Sequence, residues 1–222
     1  MTATLPLIQY WDKADPPETI AERMNQWREQ HPGWLYQRFN RQTASSFFHE
    51  HFGLAFKEAF LDIRLPAMQA DVFRIAALLS WGGLWIDAAT TCLGPVEAWL
   101  EDPQSLLLLR KPHQQYPKVC TGLIYAQEPR HPLMKAAWKL MAEALITRSG
   151  QKVYRSFGPG VLRDLLASGA WDHTLKVRPV AELSTHLCFG SSSNVIPSEH
   201  HWSQRQRSES LYFRGGLPSA SH

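Results

Sequence analysis

The chain has 222 residues, 44% of them apolar and 19% charged, with a formal net charge of +3. That balance belongs to a folded globular protein and excludes a disordered one. So mild a charge also excludes the concentrated basic face by which nucleic acid is bound.

Leu5 to Trp11 reads as a short buried strand. Asp15-Pro16-Pro17-Glu18 opens a helix, with Asp15 as N-cap and prolines in the first turn. Pro32-Gly33 stops that helix after about His31. Trp34 to Phe39 alternates as a second strand, and Thr43 or Ser45 is placed to cap the next helix. This strand–helix–strand–helix order predicts an α/β sheet. From Pro66 to Trp81, Met68, Val72, Ile75, Ala76 and Leu79 recur at helical spacing. Leu84-Trp85-Ile86 follows a Gly-Gly turn as a buried strand, and Ser105–Leu109 and Gly122–Ala126 are two more strand candidates. Pro132 to Arg148 is an amphipathic helix with Leu133, Ala137, Leu140 and Leu145 as its core stripe. Phe157-Gly158-Pro159-Gly160 opens a helix through Leu166, ended by Ser168-Gly169. A single domain over residues 1–190 is expected, with the polar stretch 191–222 as a tail or a lid.

Cys92, Cys120 and Cys188 are an odd number without paired spacing, so neither a disulfide framework nor a zinc site is expected. A reducing, cytoplasmic setting fits them. Neither a secretory leader nor a membrane-spanning stretch is expected, and peripheral attachment to the inner face of a membrane stays open. No Gly-x-Ser-x-Gly, Walker loop or Gly-x-Gly-x-x-Gly occurs, which removes support for hydrolase, phosphate-loop and dinucleotide readings.

The chemistry concentrates in Gln69-Ala70-Asp71-Val72-Phe73-Arg74 and Gly82-Gly83-Leu84-Trp85-Ile86-Asp87-Ala88-Ala89. Asp71 and Arg74 are three residues apart on one helix face, and Asp87 ends a buried strand, where open α/β sheets bind ligands. An ordinary ion pair on a solvated helix is the plain alternative for Asp71 and Arg74. For Trp85 a core role is the better account. Trp11 suits a core and a stacking platform equally.

In this order the segments resemble the bacterial capsular polysaccharide synthesis proteins and the related family 32 glycosyltransferases, a group that includes yeast initiating mannosyltransferases. More distantly they are similar to the glucosylating clostridial toxins. The shared features are Trp11; Trp27 with Pro32 and Trp34; Ala70-Asp71-Val72-Phe73-Arg74; and the Gly82–Ala89 run, followed by Thr121–Ala126 with His131-Pro132 and by the Gly158-Pro159-Gly160 turn. The resemblance implies a GT-A fold, Rossmann-like, and retaining transfer of a hexose from a nucleotide-diphospho-sugar donor to a surface polysaccharide or related glycan acceptor. It implies Asp87 as the catalytic residue, holding the ribose or a metal ion, Mn²⁺ or Mg²⁺. It also implies Trp11, Asp71, Arg74, Gly82, Gly83, Thr121 and Gly158 as substrate-binding positions. His201 and Trp202 sit in a late segment able to fold over the site, and a solvated His200-His201 pair is the plain alternative.

One position departs from the pattern. The second acid of Asp-x-Asp is Ala89 here, and alanine ligates nothing. Arg74, Lys111 or the tail arginines Arg205 and Arg207 are then the cations available to the leaving group in place of a metal. The competing expectation is a relative without activity that binds a nucleotide, a glycan or a partner protein.

Overall fold

The computed structural model describes residues 5–100, 105–112, 118–150, 152–171, 173–190, 205 and 208–214. The chain begins with β1 (Pro6–Tyr10), α1 (Glu18–Gln30), β2 (Leu35–Phe39), α2 (Arg41–Phe52), α3 (Leu54–Asp62) and α4 (Pro66–Trp81). It continues through β3 (Gly83–Ile86), β4 (Thr90–Cys92), α5 (Glu97–Leu100), β5 (Leu106–Lys111) and β6 (Lys118–Ala126). It closes with α6 (Pro132–Thr147), α7 (Val153–Ser156), α8 (Pro159–Leu166), β7 (Leu175–Pro179) and β8 (Leu187–Phe189). Among the described residues no helix is long and apolar enough to cross a membrane.

Six strands form one sheet in the order β2-β1-β3-β6-β5-β7. β1 is parallel to β2 and β3, and β5 is parallel to β7; β6 alone runs against its neighbours. Alternate side chains feed two cores. Ile8, Tyr10, Trp85, Leu106 and Leu108 face α2, α3, α4, α6 and α8. Leu7, Leu84, Ile86, Leu107 and Leu109 face the other way, against Trp27 of α1, Leu100 of α5 and Leu187 of β8. A short second sheet pairs β4 with β8.

The Gly-Gly turn between α4 and β3 is required by the backbone. Gly82 and Gly83 have φ of 66° and 95°. A Cβ on Gly83 would lie 2.3 Å from the Pro6 carbonyl oxygen, so only glycine lets β3 start against β1.

Several boundaries differ from expectation for identifiable reasons. The first helix begins at Glu18 with Pro17 as its N-cap, so Asp15 lies outside it. The second is capped by Asn40, whose Oδ1 accepts from Thr43 N at 2.9 Å while Thr43 Oγ1 accepts from Asn40 N at 2.9 Å. Thr43 thus closes a capping box from within the helix, and neither it nor Ser45 is the cap. On α6, Leu140 is 49% exposed, and Met134 and Met141 join Leu133, Ala137 and Leu145 in the core. The strand expected to end at Leu109 continues to Lys111, and the one expected from Gly122 begins at Lys118.

Part of the stretch expected to be a tail or lid is packed on the domain. Leu211 and Tyr212 are buried, and Tyr212 forms a β-bridge with Ile63.

Candidate functional site

Helix α4 carries Asp71 and Arg74 on one face, and β3 brings Trp85 and Asp87 back beside them. Arg74 Nη1 donates to Asp71 Oδ1 at 2.5 Å, and Nη2 donates to Asp87 Oδ1 at 2.9 Å. The indole N–H of Trp85 donates to that same Asp87 oxygen at 2.8 Å. The guanidinium also lies over the Trp85 ring, 5.1 Å from its centroid. Trp85 and Asp87 share a side because alternate residues of a strand point the same way. The plain reading of Asp71 and Arg74 as a solvated surface pair is therefore wrong: Arg74 is only 4% exposed. The cluster is most open at the Asp87 side chain, 42% exposed, against 13% for that of Asp71.

Two glycines lie beside the second carboxylate oxygens. A Cβ on Gly158 would sit 3.0 Å from Asp71 Oδ2, and one on Gly122 would sit 3.4 Å from Asp87 Oδ2. Gly122 gets there through a bulge. Leu108 of β5 pairs with Ile124, but Leu109 pairs with Cys120, so Thr121, Gly122 and Leu123 have no partner on β5. On its other edge the β3–β6 ladder runs on, the Gly122 carbonyl accepting from Asp87 N at 2.9 Å, and Phe189 of β8 packs over Gly122.

Burial pushes the Asp71 carboxyl up to about 6, with Arg74 pulling it down and Asp87 pushing it further up. Burial works against the Arg74 guanidinium, but the charges of Asp87 and Asp71 outweigh it and hold the group above its ordinary range.

The remaining expected positions fall in different places. Trp11 is half-buried against Ile20, Met24, Ala88 and Ala89, and its indole N–H has no partner among the described residues. Tyr10, its neighbour, points into the opposite core and donates to Gln69 Oε1 at 2.7 Å, so it offers no surface for a base. Thr121 is buried at the bulge. Gly82 ends α4 and Gly83 opens β3, ~13 Å from Asp87 at ~3.3 Å per strand residue, packed against Ala126, Glu128 and Pro6. Their positive φ makes the turn into β3. His201 and Trp202, with His200, lie outside the described residues.

Sequence reasoning missed the donor role of Trp85, which the two-residue spacing to Asp87 could have suggested. It also missed Arg23, whose Nη1 donates to the Ala89 carbonyl at 2.9 Å from 66 residues away. No local signal marks that contact.

The described residues do not fit a divalent ion. Among them no group of three His, Cys, Asp or Glu side chains could hold one. Asp87 Oδ1 already accepts from two donors, Ala89 has no ligand atom in its side chain, and its carbonyl is taken by a cation.

A family model described as a glycosyltransferase sugar-binding region containing a DXD motif matches residues 17–106. The initiation-specific alpha-1,6-mannosyltransferase of Schizosaccharomyces pombe is 22% identical over 192 residues, covering 74% of this chain and 48% of that protein. The chain thus spans about half the length of the curated relative it matches. The solved structure titled PaToxG Glycosyltransferase superposes with a TM-score of 0.53 at 12% identity, covering 91% of this chain and 77% of that one. The fold is GT-A, in a single domain.

Proposed function

We propose that the chain transfers a hexose, with retention, from a nucleotide-diphospho-sugar to a surface polysaccharide or a related glycan acceptor. One observation carries this reading. An Asp71–Arg74–Asp87 network is closed over Arg74 and most open to solvent at Asp87, at the carboxyl end of a central strand. A site that had lost its chemistry would have no reason to hold two carboxylates around a buried guanidinium, since ions so placed are costly to keep out of water.

Each residue then has a role. Asp87 Oδ2, free of its two Oδ1 donors, accepts from a hydroxyl of the donor and fixes the reacting sugar against the strand end. Asp71 Oδ2, beside Gly158, accepts from a second sugar hydroxyl. Trp11, at the end of β1 beside Ala88, stands where the base is held, and Thr121 shapes the wall at the bulge. In the transfer the anomeric carbon–oxygen bond breaks and its electron pair goes to the leaving diphosphate. The acceptor oxygen bonds to that carbon on the same face and gives its proton to the departing phosphate oxygen. Both Nη groups of Arg74 are committed to carboxylates, so the guanidinium fixes those acids and does not reach the diphosphate. All three cysteines are free, which suits the reducing cytoplasmic setting we propose, at or near the inner membrane face.

The test is release of nucleoside diphosphate from UDP- and GDP-hexoses, with and without a glycan acceptor, by wild type and Asp87→Asn. Release from one donor, with kcat/KM reduced roughly 100-fold in the variant, is expected for loss of a charged contact in the transition state. Donor binding without turnover under every condition would instead mark the binding-only relative.

A further inference from the structure

Around position 89 the charges are the reverse of what an Asp-x-Asp site would carry. In place of a second acid there is Ala89, and the Arg23 guanidinium lies on its backbone, Nη1 donating to the carbonyl at 2.9 Å. This is no loosely held surface charge. One turn further along α1, Trp27 Nε1 donates to the Thr90 carbonyl at 2.9 Å, so residues four apart on one helix face grip successive carbonyls of the loop after Asp87. Ile20 and Met24 of the same helix pack on Ala88. The end of β8 closes in from the other side, where a Cβ on Gly190 would lie 2.4 Å from the Ala89 carbonyl oxygen and 2.8 Å from Arg23 Nη1. Glycine at 190 leaves the guanidinium uncrowded there. Among the described residues Arg23 has no carboxylate partner. A guanidinium carries five N–H donors in a planar fork that matches phosphate oxygens, and among the described residues only the Nη1 contact is used.

Among the described residues Asp71 and Asp87 are already matched by Arg74, and Arg23 and Lys111 add positive charge at this strand end. A divalent cation gains little from carboxylates already paired with Arg74 and is repelled by the Arg23 guanidinium, whereas a diphosphate is attracted to it. Resting on the transferase reading above, we infer that Arg23 is the cation that receives the donor's diphosphate, in the place a metal ion takes at Asp-x-Asp sites. As the anomeric bond breaks, the electron pair arriving on the leaving oxygen adds negative charge. A fixed guanidinium stabilises that charge without reorganising.

The experiment is calorimetric titration of the intact chain with UDP, GDP and inorganic pyrophosphate, in EDTA and again in Mn²⁺, for wild type, Arg23→Gln, Arg23→Lys and Ala89→Asp. Melting temperature is measured for each. Wild type is expected to bind one nucleoside diphosphate in EDTA. Arg23→Gln should weaken that binding about tenfold or more, the size of a lost charge-assisted hydrogen bond. Arg23→Lys should retain most of it. Ala89→Asp, which leaves α1 and its contacts intact, should weaken metal-free binding to a similar degree by pairing Arg23 with a new carboxylate. Binding that requires Mn²⁺ and is unchanged in Arg23→Gln would overturn the role of Arg23 and leave the transferase reading standing. Wild type that binds neither nucleotide in either condition would overturn both.

Discussion

At the scale of single residues, the orientation of Asp87 is the quantity on which the site turns, and two donors on one oxygen set it. Arg74 and Trp85 both reach Oδ1, at 2.9 and 2.8 Å, so the carboxylate cannot rotate without losing both. Trp85 is 1% exposed and packs in the core, and its N–H adds a second duty to the same ring. The two duties separate in Trp85→Phe, which keeps an aromatic ring and removes the donor. Packing loss should cost about 1–2 kcal/mol, seen as a modest fall in melting temperature. Loss of the hydrogen bond to a charged acceptor should lower kcat about tenfold beyond that. A variant that melts earlier yet turns over donor at the wild-type rate would show that the indole only fills space.

Secondary-structure elements were legible where the cause was local, and opaque where it was not. The Pro66–Trp81 helix and the strand beyond its Gly-Gly turn follow from spacing and from two glycines that alone tolerate the backbone there. The facing of Asp71 and Arg74 was equally readable; their burial was not, because it depends on Trp85, Asp87 and Gly158 arriving from other elements. β4 and β8 are three residues each and become strands only by pairing across the chain, so neither carries a pattern of its own. The bulge in β6 is likewise a property of its register with β5.

Helix α6 offers an element-scale prediction. Its N-cap, His131, accepts from Leu133 N through Nδ1 at 3.2 Å, which leaves Nε2–H to donate to the Thr174 carbonyl at 3.1 Å. Only the neutral ring can do both. Burial lowers its pKa from the ordinary 6.5, opposed by the bond to Thr174. The sign follows: between the folded and unfolded values the unfolded chain binds more protons, so stability contributed by this group is complete above about pH 6.5 and is lost as pH falls below it. Denaturant midpoints of wild type should drop across that range, and His131→Asn, a neutral residue able to cap, should flatten this part of the profile. Identical profiles for the two would rule out the histidine as the source.

At the scale of the whole molecule, the chain's late segment returns to the junction of α3 and α4, and Asp62 is the fastening. Its Oδ2 accepts from Arg148 Nε and Nη2, each at 2.8 Å, and its Oδ1 accepts from Arg214 N at 2.9 Å. Beside it Tyr212 bridges to Ile63 and its hydroxyl donates to the Ala144 carbonyl at 3.3 Å. Three stretches far apart in sequence thus meet on one carboxylate. A reading that saw only polar residues after Ser191 could not find this, because the apolar pair Leu211-Tyr212 is too short to announce a packed element. The Asp62 side chain is 4% exposed, so removing it leaves Arg148 half-buried without its acid and unfastens the returning segment. Asp62→Ala should cost about 3 kcal/mol, as for other broken buried pairs, or a fall in melting temperature of roughly 6–12 °C for a domain of this size. The Arg74 network lies on α4 and β3 and shares no group with Asp62. Donor KM measured well below the lowered melting temperature should therefore stay close to wild type. If KM rose in step with the loss of stability, the fastening of the late segment would have to be counted as part of the donor site.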